Sequence, residues 1–84
     1  MSASATIEKE ELRSVVADAL DIPLANLTDT AHLVEDLGVD SLMSLEVIVQ
    51  VEEKYGVKLT EDEFRTISTF SDVHTLLQNR LSQA

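Results

Sequence analysis

With 84 residues, a formal charge of −10 and no cysteine, the chain has the size of one small domain, rules out disulfides and thiolate metal sites, and should repel nucleic acid and anionic membrane. Hydrophobic residues make up 44%, and the only aromatics are Tyr55, Phe64 and Phe70, so a folded core must be aliphatic. No apolar run approaches the ~20 residues of a membrane span and residues 1–6 contain no secretory h-region, so a cytoplasmic, monomeric single domain over 1–84, ordered from about 6 to 81, is expected.

The first helix is predicted over 7–20, where Leu12, Val15, Val16, Ala19 and Leu20 recur at the spacing of one helical face. Thr6 can cap its start. Glu8, Glu10 and Glu11 suit the positive end of its dipole, and Pro23 ends it by Ile22. A long connection over 21–40 follows, with Leu24, Leu27, Leu33 and Leu37 as the apolar residues that pin it. The second helix is predicted over 41–55, with Gly56 placed to stop it. Thr60-Glu61-Asp62-Glu63 forms a capping box that opens a short third helix to about Thr66. The last helix starts at Thr69 with Asp72 three residues on. Its stripe is Phe70, Val73, Leu76, Leu77 and Leu81, and Arg80 sits near its negative end. With no strand pattern, the predicted fold is all-α: a four-helix bundle with a short third helix and a long first loop.

The second helix is apolar on two sides. Val47, Ile48, Val51 and Tyr55 share one face and read as core. Leu42, Leu45 and Val49 lie on the other, interleaved with Glu46 and Glu53. Burying this helix all round would strand those two carboxylates, and four helices in a chain this small cannot enclose one of their number. The second face therefore reads as a docking strip for a partner with a basic surface and a shallow apolar groove. Charge agrees: residues 14–53 contain no Lys or Arg, but hold Asp18, Asp21, Asp29, Glu35, Asp36, Asp40, Glu46, Glu52 and Glu53.

Asp40 or Ser41 can cap the second helix, and for an isolated Asp-Ser pair capping is a complete explanation. A nucleophilic role for Ser41 would need a base and a group to orient it. There is no Gly-x-Ser-x-Gly elbow, and His32 and His74 each read as solvated surface residues. Two distant histidines and scattered carboxylates lack metal-ligand spacing.

The run EDLGVDSLMSLEVIVQVEEKYGVKL, residues 35–59, resembles the core of acyl carrier proteins, and the likeness extends over about 6–81. The resemblance implies a carrier, not an enzyme. Ser41 would bear covalent phosphopantetheine derived from coenzyme A, and Asp40 would assist magnesium-dependent loading. Leu42, Met43, Leu45, Glu46, Val49 and Glu53 would meet partners. The implied partners are a phosphopantetheinyl transferase, an acyltransferase, a ketosynthase and other acyl-processing enzymes with basic docking surfaces. The cofactor would supply the thiol that this chain lacks. Gly38-Val39-Asp40-Ser41 departs from the Gly-Gly-x-Ser of peptidyl carriers. Met43 stands where many fatty-acid carriers have an acidic residue, and resembles polyketide carriers instead. The readings that compete are a cofactor-free acidic helical adaptor, a hydrolase using Ser41, and a specialised carrier such as a D-alanyl carrier.

Overall fold

Apolar stripes recurring every three to four residues give this chain helices that can be buried only against one another. The computed structural model describes residues 7–83. In chain order it contains α1 (Lys9–Leu20), a 3-10 turn (Leu24–Asn26), α2 (Ser41–Tyr55), α3 (Glu61–Arg65) and α4 (Phe70–Gln83). Leu12, Val16 and Leu20 of α1, Val47, Ile48 and Val51 of α2, Phe64 of α3, and Phe70, Val73 and Leu77 of α4 meet in one core. No polar or charged residue among those described is buried. Each fully enclosed Leu, Val or Phe contributes roughly 1.5–3 kcal/mol, more than any single surface ion pair here.

α1 begins two residues later than its periodicity predicts. Glu8 is the N-cap and makes no side-chain cap bond, and the expected cap Thr6 lies outside the described residues. Ile7 is taken out of the helix because its side chain is buried and its backbone serves α4. Its N–H donates to Gln78 Oε1 at 2.9 Å, and its carbonyl accepts from His74 Nε2 at 2.8 Å. His74 is thus half-buried and structural, not solvated. His32 is likewise engaged: its Nδ1 accepts from the Glu35 N–H at 3.3 Å. α1 ends as Pro23 requires, with Asp21 in the left-handed conformation and its N–H turned back onto Asp18 and Ala17.

The long loop is pinned by Leu27, Ala31, Leu33 and Val39, all buried, with Leu37 packed at the edge. Leu24 is not a pin. It opens the 3-10 turn and stands 49% exposed, whereas Leu27 leaves that turn with its backbone redirected and swings into the core. The loop backbone is satisfied across to the α3–α4 junction: Leu33 N–H donates to the Ser68 carbonyl at 2.8 Å, Phe70 N–H to Ala31 at 3.2 Å, and Ser71 N–H to Asp29 at 3.0 Å. Arg13 adds a side-chain tie. Its guanidinium bonds the Leu27 carbonyl and Asp29, pairs with Glu10, and stacks 4.7 Å over the Phe70 ring. These contacts hold the Glu10 and Asp29 carboxyls below the usual range, through the bond each makes to Arg13.

α3 carries the predicted capping box in full. Thr60 Oγ1 accepts from Glu63 N–H at 3.1 Å, and Glu63 Oε1 accepts from Thr60 N–H at 3.0 Å. At the start of α4, Asp72 accepts from the N–H groups of Ser68 and Thr69 at 3.0 and 3.1 Å, and those two bonds lower its pKa.

Candidate functional site

The chain reaches α2 through a tight reversal. Gly38, at φ 69°, takes a left-handed turn open to glycine at little cost, with its N–H bonded to the Val34 carbonyl at 3.0 Å. Val39 is then driven inward, and its N–H bonds the Leu33 carbonyl at 2.9 Å. Asp40 follows in an extended conformation as the N-cap. Its Oδ1 accepts from Met43 N–H at 2.9 Å, and its carbonyl accepts from both the N–H and the hydroxyl of Ser44, each at 2.9 Å. Ser41, the first residue of α2, is left exposed at the positive end of the helix.

Ser41 opens onto a cleft of about 260 Å³ between the loop, α2 and α3, lined by Val34, Val39, Asp40, Ser44, Glu61 and Arg65. A smaller recess of about 100 Å³ shares several of these walls and is bounded inside by Leu33, Phe64 and Ile67. Neither histidine lines the cleft, and both are occupied with backbone groups, so neither imidazole is placed to activate the Ser41 hydroxyl. The hydroxyl is accessible and held at a fixed helix end, which suits it to receive a group delivered from outside.

Beside the serine, the predicted strip is exposed. Leu42 is 76% accessible, Leu45 44% and Val49 47%, with Glu46 and Glu53 also in solvent along the same stripe. Met43 differs from the other strip residues: it is half-buried and packs against the core, because one residue beyond Leu42 the helix has turned inward. Val34, 62% exposed on the loop, extends the apolar surface to the cleft wall and was not legible as a site residue in the sequence. Arg65 was also missed. No spacing rule links it to Ser41, and only the packing of α3 brings both to one cleft.

The basic residues are turned to internal use. Lys9 pairs with Asp29, Arg13 with Glu10 and Asp29, Lys54 with Glu11, Lys58 with Glu52, Arg65 with Glu61 and Asp62, and Arg80 with Glu63. None of them pairs with Glu46 or Glu53, so the negative potential along the strip is not neutralised from within.

Residues 10–77 match the family described as "Phosphopantetheine attachment site". The chain is 47% identical over 75 residues to "Polyketide-8 synthase acyl carrier protein 2" of Streptomyces avermitilis, covering 89% of this chain and 86% of that protein. It is 33% identical over 73 residues to "Acyl carrier protein" of Thermosynechococcus vestitus, covering 87% and 90%. Against "Acyl carrier protein" of Helicobacter pylori strain G27 it is 38% identical over 64 residues, covering 76% and 82%. Its fold is similar to the solution structure of 3-oxo-butyl-ACP from the actinorhodin polyketide synthase of Streptomyces coelicolor, with a TM-score of 0.76 at 22% identity, over 98% of this chain and 99% of that one.

Proposed function

Because the chain belongs to the acyl carrier proteins, and so serves as a phosphopantetheine-dependent acyl carrier, we propose that Ser41 is its attachment residue. The observation that carries this reading is the exposed Ser41 hydroxyl at the first residue of α2, opening on a cleft that continues into an apolar recess. The site fits the group. A phosphodiester on Ser41 would lie at the positive end of a 15-residue helix, and the cleft beside it offers polar walls at its mouth and Leu33, Phe64 and Ile67 within. When bound, the group supplies the thiol on which an acyl chain is held as a thioester.

The chain's own residues hold and present. Asp40 fixes the helix start through Oδ1, which leaves its second carboxylate oxygen for a magnesium ion brought by the loading enzyme. Leu42, Leu45 and Val49 supply apolar contact, while Glu46 and Glu53 attract a basic partner such as a phosphopantetheinyl transferase, an acyltransferase or a ketosynthase.

For the pathway we favour polyketide assembly, supported by the 47% identity to a polyketide synthase carrier. Met43 bears on this less directly than its position suggests, since it packs partly inward. The test of attachment is incubation with coenzyme A, magnesium and a transferase, read by intact mass. One phosphopantetheine should be added to the wild type and none to Ser41→Ala, with the helical circular dichroism unchanged. Loading that persists in Ser41→Ala refutes the assignment. The pathway is tested by offering the malonyl-loaded protein separately to polyketide and fatty-acid condensing enzymes. Preferential use by the fatty-acid enzyme would overturn that part.

A further inference from the structure

We propose that Arg65 binds the phosphodiester at Ser41, exchanging its carboxylate partners on α3 for that anion and so laying the arm along the cleft. The inference rests on Ser41 being the attachment residue. It begins from charge balance. The cleft beside Ser41 contains two carboxylates, Asp40 and Glu61, and its only basic residue is Arg65. Adding an anion at Ser41 brings a third negative charge into that space, and besides the positive end of α2 the group lining the cleft that can offset the repulsion is the Arg65 guanidinium.

The three arginines differ in how firmly they are held. Arg13 is 12% exposed, bonded to the Leu27 carbonyl and stacked on Phe70. Arg80 bonds Glu63 and the Lys58 carbonyl. Both are structural ties. Arg65 is 65% exposed and meets Glu61 and Asp62 at 3.9 and 3.6 Å, beyond good hydrogen-bond length. Exposed pairs of that geometry contribute little, so exchanging them is easy. The planar guanidinium fork matches phosphate oxygens better than an ammonium does. The capping box of Thr60 and Glu63 fixes the start of the short helix that carries Arg65. Arg65 also lines the inner recess with Leu33, Phe64 and Ile67, so an arm held at this residue is aimed inward past it.

The experiment is nuclear magnetic resonance on the holo protein, with full loading verified by intact mass. The phosphorus resonance of the arm should shift between wild type and Arg65→Gln, and Arg65→Lys should restore part of the shift. The Arg65 Nε–Hε signal of the wild type should move between apo and holo forms and return toward its apo position in about 1 M salt, where the Debye length is ~3 Å. That last measurement needs no variant, so it stands even if Arg65→Gln folds poorly. A phosphorus resonance that superimposes in wild type and Arg65→Gln, with Arg65 Nε–Hε unmoved on loading, overturns this proposal and leaves the attachment reading intact. Failure to add the group at Ser41 overturns both.

Discussion

The N-cap role of Asp40 and the loading role proposed for it are separated by a pair of substitutions. As N-cap it accepts the Met43 N–H at 2.9 Å through one oxygen, while the proposed part in loading would use the negative charge and the other oxygen. Asp40→Ala removes both. Loss of a cap costs about 1 kcal/mol, and for a domain of this size each kcal/mol lowers Tm by roughly 4–8 °C. The bonds that Ser44 makes to Asp40 are to its backbone carbonyl and survive the change. Asp40→Asn keeps an acceptor in the same position and loses only the favourable charge at the helix end, roughly 0.3–1 kcal/mol in solvent, or about 1–8 °C. Loading divides the other way: without the carboxylate, both variants should be slowed on the order of tenfold or more. The assays are thermal unfolding by circular dichroism and a mass-spectrometric time course with coenzyme A, magnesium and a transferase. The reasoning fails if Asp40→Asn loads at the wild-type rate, which leaves Asp40 as a cap and nothing else. It fails in its other half if Asp40→Ala unfolds at the wild-type temperature.

Arg13→Met, which keeps the aliphatic stem, should lower stability by about 2 kcal/mol through loss of the bond to Leu27 and the stacking on Phe70. The urea midpoint should fall with no change in slope. Glu46→Lys should slow loading at low salt and leave thermal unfolding unchanged, since no internal ion pair is lost; an unaltered rate would count against the α2 face. Tyr55, pushed up to about 12 by burial and then by its bond to Glu11, is the only tyrosine in a chain without tryptophan, so its ultraviolet titration is unambiguous. Its folded pKa lies above the unfolded value near 10, so the associated stability is complete below pH 10 and is lost as pH rises through the folded value; a midpoint near 10 would refute the buried contact. Asp72 has the opposite sign: its lowered pKa gives stability that is complete above the unfolded value near 3.8 and is lost as pH falls through the folded pKa. Asp72→Asn should therefore flatten the fall of Tm below pH 5, and an unchanged profile would show that those two backbone bonds are not selective for the ionised form.

The sequence was most informative where local chemistry decides structure. α2 runs from Ser41 to Tyr55 as expected, because Asp40 can cap it and Gly56 can take the left-handed turn that stops it. The capping box at Thr60 is equally local. Its two faces were also separable, since a stripe of Leu42, Leu45 and Val49 framed by glutamates has no low-cost place inside a small domain. What failed to show was set by distance along the chain. Arg13 finds its loop partners 14 and 16 residues away. Ile7 is drawn off α1 by Gln78, 71 residues on. Leu24 and Leu27 look alike in sequence and differ only because a 3-10 turn lies between them. Arg65 joins the site through helix packing that no periodicity encodes.

The internal pairing of the basic residues has a consequence for how this molecule travels. With Lys9, Arg13, Lys54, Lys58 and Arg80 each matched to a nearby carboxylate, the surplus negative charge is distributed unevenly and includes Asp40, Glu46 and Glu53 along α2, none of them paired with a basic side chain. A body charged in this lopsided way experiences torque as well as attraction in the field of a positive surface. Within about one Debye length, ~8 Å at physiological ionic strength, unpaired charge on the proposed docking face would turn that face, with Ser41 at its edge, toward the surface. Random collisions would thereby be biased toward the proposed docking face, and contacts weak enough to release each enzyme quickly would then suffice.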